Sequence, residues 1–543
     1  MEDGVARGWF DRVVLDLGRQ MRWTFLPPLM VYFSYGISGL TAIVGTFFVK
    51  DYLGLSASFL AGLAFWAGLP WALKMPLGHL VDLIWRYKSL LIYIGAGLIG
   101  ASLFIMYLLI TDPVGMEAIL PIPAWYVISV MLAPCGYVLQ DAVADAMSVE
   151  AVPTLDSHGE AIPEERSKAM HTTMQTLGRF ALISGTVAVA VLNIVMFSGA
   201  DQLAEAEKAE VYARIYMIAL AIPLISISGV VLASWQRHGL RRRLQDLGKT
   251  SDEVEAALGR PEEEVKPNHW YFTGGLIFVA LSLTIGLSDI AYGQEIVFLG
   301  SMAVVLFLMR QLIAVLDRDK ARMLVGTAII IFVFRAVPLP GPGATWFEID
   351  VLKFDEQFLS VLSLITAVLT LVGIILLRPM MATRPITSIV ILLTVVGGIL
   401  SLPNIGLYYG LHHWTSAMTG GVVDARFIAI MDTMVESPLG QVAMIPMLAW
   451  IARNAPPQLK ATFFAVMASF TNLALSASAL GTKYVNETYT ITREVRDRAS
   501  DAITVPADYS QLGWLLITVA ALGVLLPLAT IGIVQRSRLR TTD

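Results

Sequence analysis

Apolar runs of about twenty residues recur along the chain, and each is long enough to cross roughly 30 Å of hydrocarbon as a helix. The first six lie at about 24–49, 54–75, 89–110, 123–149, 169–197 and 211–235. Two more follow at about 270–290 and 294–316, and the last six lie at about 321–339, 357–378, 385–407, 424–452, 459–482 and 511–535. The pattern predicts an all-α polytopic membrane protein with about fourteen transmembrane helices.

The order of these runs predicts four parts. Residues 1–235 form an N-terminal six-helix half, and residues 236–269 form a charged cytoplasmic linker. Residues 270–320 form an inserted transmembrane hairpin, and residues 321–543 form a C-terminal six-helix half. Two similar halves around a central cytoplasmic segment are typical of transporters built from internal repeats.

Composition agrees with a membrane location and narrows the chemistry. Of 543 residues, 56% are hydrophobic and 15% are charged, with a mean hydropathy of +0.67; soluble proteins carry about 25% charged residues. The single cysteine, Cys135, excludes an internal disulfide. The chain has no Gly-rich ATP-binding loop, and its adjacent His412 and His413 lack metal-ligand spacing. We expect no enzymatic activity, no cofactor, no metal site and no nucleic-acid partner.

Basic residues predict the orientation. Arg and Lys are concentrated near the N-terminus, in the linker and near the C-terminus, whereas the loops "TDPVGMEAILPIPA" and "GLYYGLHHWTSAMTGGVVDA" contain none. Cytoplasmic loops are enriched in Lys and Arg. We therefore expect a multi-pass protein of the plasma (inner) membrane with both termini in the cytoplasm, in contact with the lipid bilayer.

The fourth run ends in "LQDAVADAMSVE", which contains carboxylates within a membrane helix. Asp141 and Asp145 are one turn apart and share a helix face. A charge inside a span costs roughly 2.5–3.5 kcal/mol on insertion scales, so it is expected to face a cavity or a partner. These two residues are candidates for substrate and proton binding. Arg179, in the fifth run, is expected to pair with one of them or with an anionic ligand, whereas Glu150 is expected to mark the exit of the helix into water.

The fourth apolar run of the second half, at about 424–452, repeats this spacing with Asp432 and Glu436. An acidic pair on the matching helix of each half indicates duplication, and we predict that this pair also binds substrate or protons. Pro438 and Gly440 predict a break in the helix next to Gln441, which is a further candidate. Arg335 either lines the same cavity or anchors the helix at the outer interface.

Residues 31–88 carry a family signal. The segment "GHLVDLIWRYK" resembles the loop between the second and third helices of major facilitator superfamily transporters. The resemblance assigns a gating role to Gly78, Asp82, Arg86 and Lys88, with the Asp accepting hydrogen bonds from a neighbouring helix N-terminus and from Arg86. Lys74, just upstream, is either part of this segment or a snorkelling interfacial anchor.

Three further segments resemble the folate–biopterin transporter family: "PWALKMPLG", "LQDAVADAMSVE" and "SPLGQVAMIPMLAWIARNAPPQLKATFFAVMASFTN". The resemblance implies a secondary transporter with the major facilitator fold that moves a folate, a pterin or a related planar organic anion by alternating access. The acidic pairs favour coupling to protons as a symporter. Two alternatives stay open: a scaffold of the same fold that assists pigment–protein assembly without transport, and a proton-coupled carrier of another solute such as a peptide. The sequence does not indicate an oligomeric state.

Overall fold

The fold is described from a computed structural model of the full chain. It describes residues 21–49, 55–72, 74–153, 160, 162–200, 203, 205–251, 253–254, 269–286, 290–313, 317–377, 380, 384–439, 460–496 and 503–541. These residues are nearly all helical, and eight helical segments among them are long and apolar enough to cross a membrane. The predicted all-α membrane class is confirmed.

The described residues of the first half form ten α-helices. They are α1 (Leu26–Gly36), α2 (Ala42–Phe48), α3 (Ala57–Ala72), α4 (Lys74–Leu83), α5 (Ser89–Thr111), α6 (Pro113–Glu117), α7 (Ile122–Glu150), α8 (Glu164–Met196), α9 (Glu205–Ala219) and α10 (Ile222–Asp246). The side predicted to be cytoplasmic is called inner below, and the opposite side outer.

The inserted hairpin and the second half follow. The hairpin consists of α11 (His269–Gly286) and α12 (Gly293–Ile313). The second half comprises α13 (Arg318–Arg335), α14 (Pro342–Asp350), α15 (Glu356–Leu376), α16 (Ile386–Tyr408), α17 (Leu411–Met418), α18 (Ala425–Glu436), α19 (Lys460–Thr488) and α20 (Leu512–Arg536). A small antiparallel pair, β1 (Val495–Arg496) and β2 (Ile503–Val505), lies in the outer loop before α20.

Every predicted apolar run contains a described helix, and the differences lie at the ends and in the loops. The helix pair α3 and α4 extends to Leu83, beyond the predicted end at about 75, and α10 extends to Asp246, beyond the predicted start of the linker. Arg and Gln are good helix formers, so a helix does not stop where its hydrophobicity does. The short outer helices α6, α14 and α17 are too short to show a membrane-length apolar run.

The first membrane helix is interrupted. Between α1 and α2, residues Ile37–Thr41 form a 3₁₀ segment within an otherwise α-helical span. A stretch of 3₁₀ helix inside a longer helix often marks a functional site, because it changes which side chains face the same direction.

Among the described residues, the most extensive contacts between the halves come from two helix pairs: α3 packs on α19, and α8 packs on α15. The hairpin lies against the first of these seams, because α12 packs on both α19 and α3. A buried apolar cluster at this place unites all three parts, with Phe65 from α3, Phe278 and Val297 from the hairpin, and Leu480 from α19. The hairpin is therefore a structural part of the seam rather than a separate unit in the lipid.

Close backbone contact joins α5 and α7 inside the first half. A Cβ atom built on Gly95 would lie 2.6 Å from the carbonyl oxygen of Gly136, and one built on Gly136 would lie 2.5 Å from the carbonyl oxygen of Gly95. Real Cβ atoms do not approach an oxygen so closely. Small residues that let backbones approach are a common means of helix association in membranes.

We predict that Gly95→Ala destabilises the protein by about 1–3 kcal/mol, because α5 and α7 must separate to admit the methyl group. Gly97→Ala is the matched control on the same helix, since no described atom lies within 4 Å of a Cβ at Gly97. Alanine favours a helix over glycine, so the control should melt at or above the wild-type Tm. The Tm of detergent-purified protein provides the measurement, and equal melting of the two variants would contradict the predicted contact.

Candidate functional site

A lysine lies between the two carboxylates of the fourth membrane helix. The Nζ atom of Lys74 is 2.6 Å from Oδ2 of Asp141 and 2.7 Å from Oδ2 of Asp145. The side chain of Asp141 is 16% exposed, whereas that of Asp145 is 49% exposed. One cation thus joins two anions, and the less buried Asp145 is the more accessible of the two.

The local sequence explains this geometry. Asp141 and Asp145 are spaced by one turn of α7, so their side chains project from the same face. Lys74 is the first residue of α4, and α4 packs against α7. An ion pair in a membrane interior offsets the desolvation of its charges only when the geometry is good, and the two short distances meet that condition.

Tyr32, on α1, also contacts this group of charged side chains. Its hydroxyl donates a hydrogen bond of 2.8 Å to Oδ1 of Asp145, so both oxygens of that carboxylate are engaged. A Cβ atom built on Gly178 of α8 would lie 3.1 Å from the ring of Tyr32. The missing side chain at Gly178 therefore makes room for the Tyr32 ring beside the charged group.

Aromatic rings lie next to the charges. The ring of Tyr35 is 5.5 Å from the ring of Trp71 and 5.5 Å from that of Tyr137, which precedes Asp141 by one turn. The amide of Asn472 on α19 donates a 3.3 Å hydrogen bond to the carbonyl of Trp71. The charged group therefore lies within the first half, at the seam with the second half.

The predicted ion pair of Arg179 with Asp141 or Asp145 is wrong. Among the described residues the cation of both carboxylates is Lys74, and Arg179 forms no ion pair. The side chain of Arg179 is exposed, yet close enough for its charge to act on Asp141 and on Tyr35. An available guanidinium beside the site suits a bidentate contact with a carboxylate ligand.

The expected exit of α7 into water is also wrong. The side chain of Glu150 is 9% exposed and forms ion pairs with Lys88 and with Arg237. Lys88 begins the third membrane helix, and Arg237 lies on α10, so one carboxylate joins the inner ends of three helices. Sequence position alone does not reveal this, because the three residues are distant in the chain.

The predicted gating residues are only partly described. Lys88 is almost fully buried in the contact with Glu150, whereas Arg86 is exposed. The side chain of Asp82 lies outside the described part of the structure. No described atom lies within 4 Å of a Cβ built on Gly78, so the described residues make no close backbone contact there.

The acids of the second half have different surroundings. Asn404 donates a 3.0 Å hydrogen bond to Oδ2 of Asp432, while Oδ1 of Asp432 is buried and has no described hydrogen-bond partner. Glu436, one turn on, is exposed. This pair lies on α18 towards the outer side, whereas Asp141 and Asp145 lie near the inner end of α7. The two pairs match in spacing but not in depth.

The predicted break after α18 is present. The α-helix ends at Glu436 and continues as a 3₁₀ turn, Ser437–Leu439. The carbonyl of Ser437 accepts a 3.1 Å hydrogen bond from the Thr370 hydroxyl on α15. Gln441 lies outside the described residues. Arg335 is partly buried at the outer end of α13, just before the segment that leads to α14.

A sequence signal for Lys74 exists, although the prediction left the role of this residue open. A lysine within "PWALKMPLG" is costly in a membrane unless it is paired, and the acidic pair nearby needs a cation. Tyr32 gave no comparable signal, because tyrosines are common in membrane helices for packing and at interfaces.

Comparisons with known proteins agree with this architecture. The model of the BT1 family matches residues 35–542. A folate-biopterin transporter of Synechocystis sp. (strain ATCC 27184 / PCC 6803 / Kazusa) is 24% identical over 469 residues, which cover 86% of this chain and 75% of that protein.

Solved structures with the major facilitator fold superpose on nearly the whole chain. A POT family transporter in complex with 5-aminolevulinic acid gives a TM-score of 0.59 at 13% identity, covering 97% of this chain and 96% of its own. The inward open xylose transporter XylE from E. coli gives 0.51 at 14% identity, covering 95% and 98%. These likenesses concern the fold, and they confirm the major facilitator architecture predicted from the sequence.

We predict that Lys74→Met lowers the stability by about 3–5 kcal/mol, because the buried Asp141 then loses its cation and is left beside the charge of Asp145. Adding Asp145→Asn should restore part of the loss, since it removes one of the two repelling charges. Lys320→Met is the control, because the Lys320 side chain is 66% exposed. Thermal unfolding of the purified variants tests this; a Lys74→Met protein that melts like the control would contradict the ion pair.

Proposed function

Because this chain belongs to the BT1 family, the family of folate–biopterin transporters, we propose that it is a secondary transporter. It carries a folate, a pterin or a related planar organic anion by proton symport and alternating access. The observation that carries the proposal is the placement of Lys74 between Asp141 and Asp145 at the seam of the two halves. A membrane protein retains such charges at a cost, and they commonly mark substrate and ion pathways.

Charge balance explains how a proton favours an anion at this site. Lys74, Arg179, Asp141 and Asp145 together are electrically neutral when all are ionised. When one aspartate takes up a proton, the group becomes positive by one charge and attracts an anionic substrate. The proton and the anion therefore bind better together than apart, which is the thermodynamic requirement for symport.

Asp145 is the aspartate that we assign to the proton. It is the more exposed of the pair, and it faces both Lys74 and the Tyr32 hydroxyl. Its exposure makes it the carboxylate of the pair that a proton from water reaches directly, while the more buried Asp141 stays beside Lys74. Once Asp145 is neutral, Lys74 retains Asp141 as its partner, and one face of the ammonium group is available to the substrate together with Arg179.

Asp432 is a second candidate for a proton, on the other half. Its Oδ1 is buried and has no described hydrogen-bond partner, and no described cation pairs with it. A buried carboxyl oxygen without a donor is stabilised when the group carries its own proton. Glu436 follows one turn later, and together with Gln441 and Arg335 it belongs to the candidate set of this half.

Alternating access requires contacts that open on one side while they close on the other. On the outer side, Arg493 donates to the carbonyl of Val49, and Tyr212 donates to Glu356; each bond joins the first half to the second. We assign these contacts to the outer gate and Gly78, Asp82, Arg86 and Lys88 to the inner gate. The positive-inside pattern supports a plasma (inner) membrane protein with cytoplasmic termini.

The two alternative functions have less support. A scaffold for pigment–protein assembly has no need of a lysine held between two aspartates at a seam. The peptide-carrier alternative has only the fold in its favour, because the structural likeness to the POT family transporter is at 13% identity.

We expect Asp145→Asn to abolish the acceleration of folate or biopterin uptake by an inward proton gradient in proteoliposomes. The asparagine amide keeps the shape of the carboxylate but takes up no proton near neutral pH. Asp319→Asn is the control, since the Asp319 side chain is 96% exposed. Initial rates at equal and at unequal pH, with Tm as a check of folding, give the measurement. Gradient-driven uptake that survives in Asp145→Asn would exclude this residue as the coupling site.

We expect Arg179→Gln to raise the KM for an anionic substrate by about tenfold or more while the Tm stays unchanged, because Arg179 has no ion pair to lose and contributes a charge-assisted contact to the ligand. Arg179→Lys should recover part of the affinity, since lysine keeps the positive charge but lacks the paired N–H donors of the guanidinium group. Arg214→Gln, with a side chain that is 61% exposed, is the control. A normal KM in Arg179→Gln would remove Arg179 from the site.

A further inference from the structure

A cavity of about 590 Å³ lies in the outer part of the first half, separate from the charged group. Its walls come from the first, second, third, fourth and sixth membrane helices, and α14 of the second half closes it. The third and sixth of these take no part in the two seams α3–α19 and α8–α15. The cavity is therefore an internal space of the first half, called the outer chamber below.

The lining of the outer chamber is aromatic and hydroxylic. Tyr126, Tyr137, Tyr216 and Trp346 contribute rings, and among the described lining residues none is an Asp, Glu, Lys, Arg or His. Such a lining disfavours any charged group, because the charge would be desolvated without a partner. It favours a flat ring system, which gains both apolar contact and ring stacking.

Hydroxyl pairs supply the polar contacts. The Tyr137 hydroxyl lies near Ser38 and the Tyr216 hydroxyl near Thr41, and all four residues line the chamber. Ser38 and Thr41 both lie in the 3₁₀ segment that interrupts the first membrane helix. A hydroxyl offers one donor and two acceptor positions, so each pair keeps unused capacity for a ligand. The interruption thus places two hydroxyls where they face the tyrosines.

One helix connects the chamber to the charges. Ser129, Ala133 and Tyr137 line the chamber and follow one another at four-residue spacing along α7. Asp141 and Asp145 continue the same spacing. Successive residues of such a stripe are neighbours on the helix surface. Each four-residue step also turns by about 40°, so the row winds around the helix, and the neighbours that connect the chamber to the charges are Tyr137 and Asp141. A ligand that extends past Tyr137 therefore passes from the rings and hydroxyls of the chamber to the first carboxylate.

Trp346 closes the chamber from the second half. The guanidinium carbon of Arg493 lies 5.1 Å from the centre of the Trp346 ring, and Arg493 also donates to the carbonyl of Val49. Val49 and Trp346 both line the chamber. Movement of the second half that releases Arg493 from Val49 would also withdraw this wall, so access to the chamber follows the outer gate.

We propose that the outer chamber binds the uncharged, fused heteroaromatic ring of the substrate, while Lys74 and Arg179 hold its anionic group. The inference rests on the proposed transport function and adds to it a second subsite with its own chemistry. The volume agrees with this occupant, since small-molecule sites commonly measure about 300–1,000 Å³.

The test uses two probes that each carry half of such a substrate. Pterin has the neutral bicyclic ring without a carboxylate, and 4-aminobenzoyl-glutamate has the carboxylates without the pterin ring. Equilibrium binding of each probe to the purified full-length protein is measured for wild type, Ala133→Leu and Trp346→Ala. Ala133→Leu fills the chamber, and Trp346→Ala removes a wall. Trp514→Ala is the matched control, because Trp514 is 63% exposed and outside the lining.

We expect both chamber variants to raise the Kd for pterin by about tenfold or more, through lost stacking and lost space, and to leave that for 4-aminobenzoyl-glutamate within about twofold. Arg179→Gln should show the opposite selectivity. If Trp346→Ala fails to fold, as judged by its Tm, Ala133→Leu carries the test alone.

Two results would overturn the proposal that the outer chamber binds the ring of the substrate. One is unchanged pterin affinity in folded Ala133→Leu, and the other is no pterin binding to wild type at millimolar concentration. Failure of the transport function would be distinct: wild type would bind pterin in a chamber-dependent way, yet no anion would be taken up under a proton gradient.

Discussion

The contact of Lys74 with Asp141 and Asp145 sets a condition that the rest of the first half must meet. Three charges placed in a membrane interior are tolerable only while the cation stays within hydrogen-bond distance of both anions. The start of α4 and the inner part of α7 must therefore keep a fixed separation. Tyr32 on α1 and Glu150 at the inner end of α7 reinforce that arrangement, since Glu150 joins Lys88 and Arg237 on two other helices.

The contacts that join the two halves differ in kind from those within each half. Among the described residues, no ion pair connects the first half to the second. The bonds that cross the seam end on carbonyl groups or use a neutral partner, as with Asn472 to Trp71 and Tyr212 to Glu356. A hydrogen bond between neutral groups contributes about 0.5–1.5 kcal/mol and one with a charged partner about 1.5–3 kcal/mol, whereas breaking a buried ion pair costs about 3–5 kcal/mol. Strong contacts hold each half rigid, and weaker ones allow the halves to separate.

The hairpin likewise makes an ionic contact on one side and a neutral contact on the other. Glu295 at its outer tip contacts Tyr484 and Lys483 on α19, which is an ionic contact with the second half. Its bond to the first half is neutral, from the Gln294 amide to the carbonyl of Gly62. By strength of contact, the hairpin belongs with the second half.

The sequence predicted the helices well because membrane length and apolarity are local properties that each run carries by itself. It predicted that Asp141 and Asp145 matter, because their cost in a membrane is also local. The partners of these carboxylates were harder to predict. Arg179 and Lys74 were both available cations, and only the packing of α4 on α7 decides for Lys74. The burial of Glu150 by two distant basic residues escaped prediction for the same reason.

The stripe on α7 shows what the two kinds of surface achieve together. From Ser129 to Tyr137 the helix presents groups that exclude charge, and from Asp141 to Asp145 it presents groups that require it. A wholly apolar solute would leave Arg179 without an anion, and a small inorganic anion would leave the chamber unfilled. A solute that satisfies both surfaces must itself be divided into a flat neutral ring and an anionic end. In the proposed two-part site, selectivity arises from the separation of the two surfaces along α7, because a solute too short to reach both gains the contacts of only one.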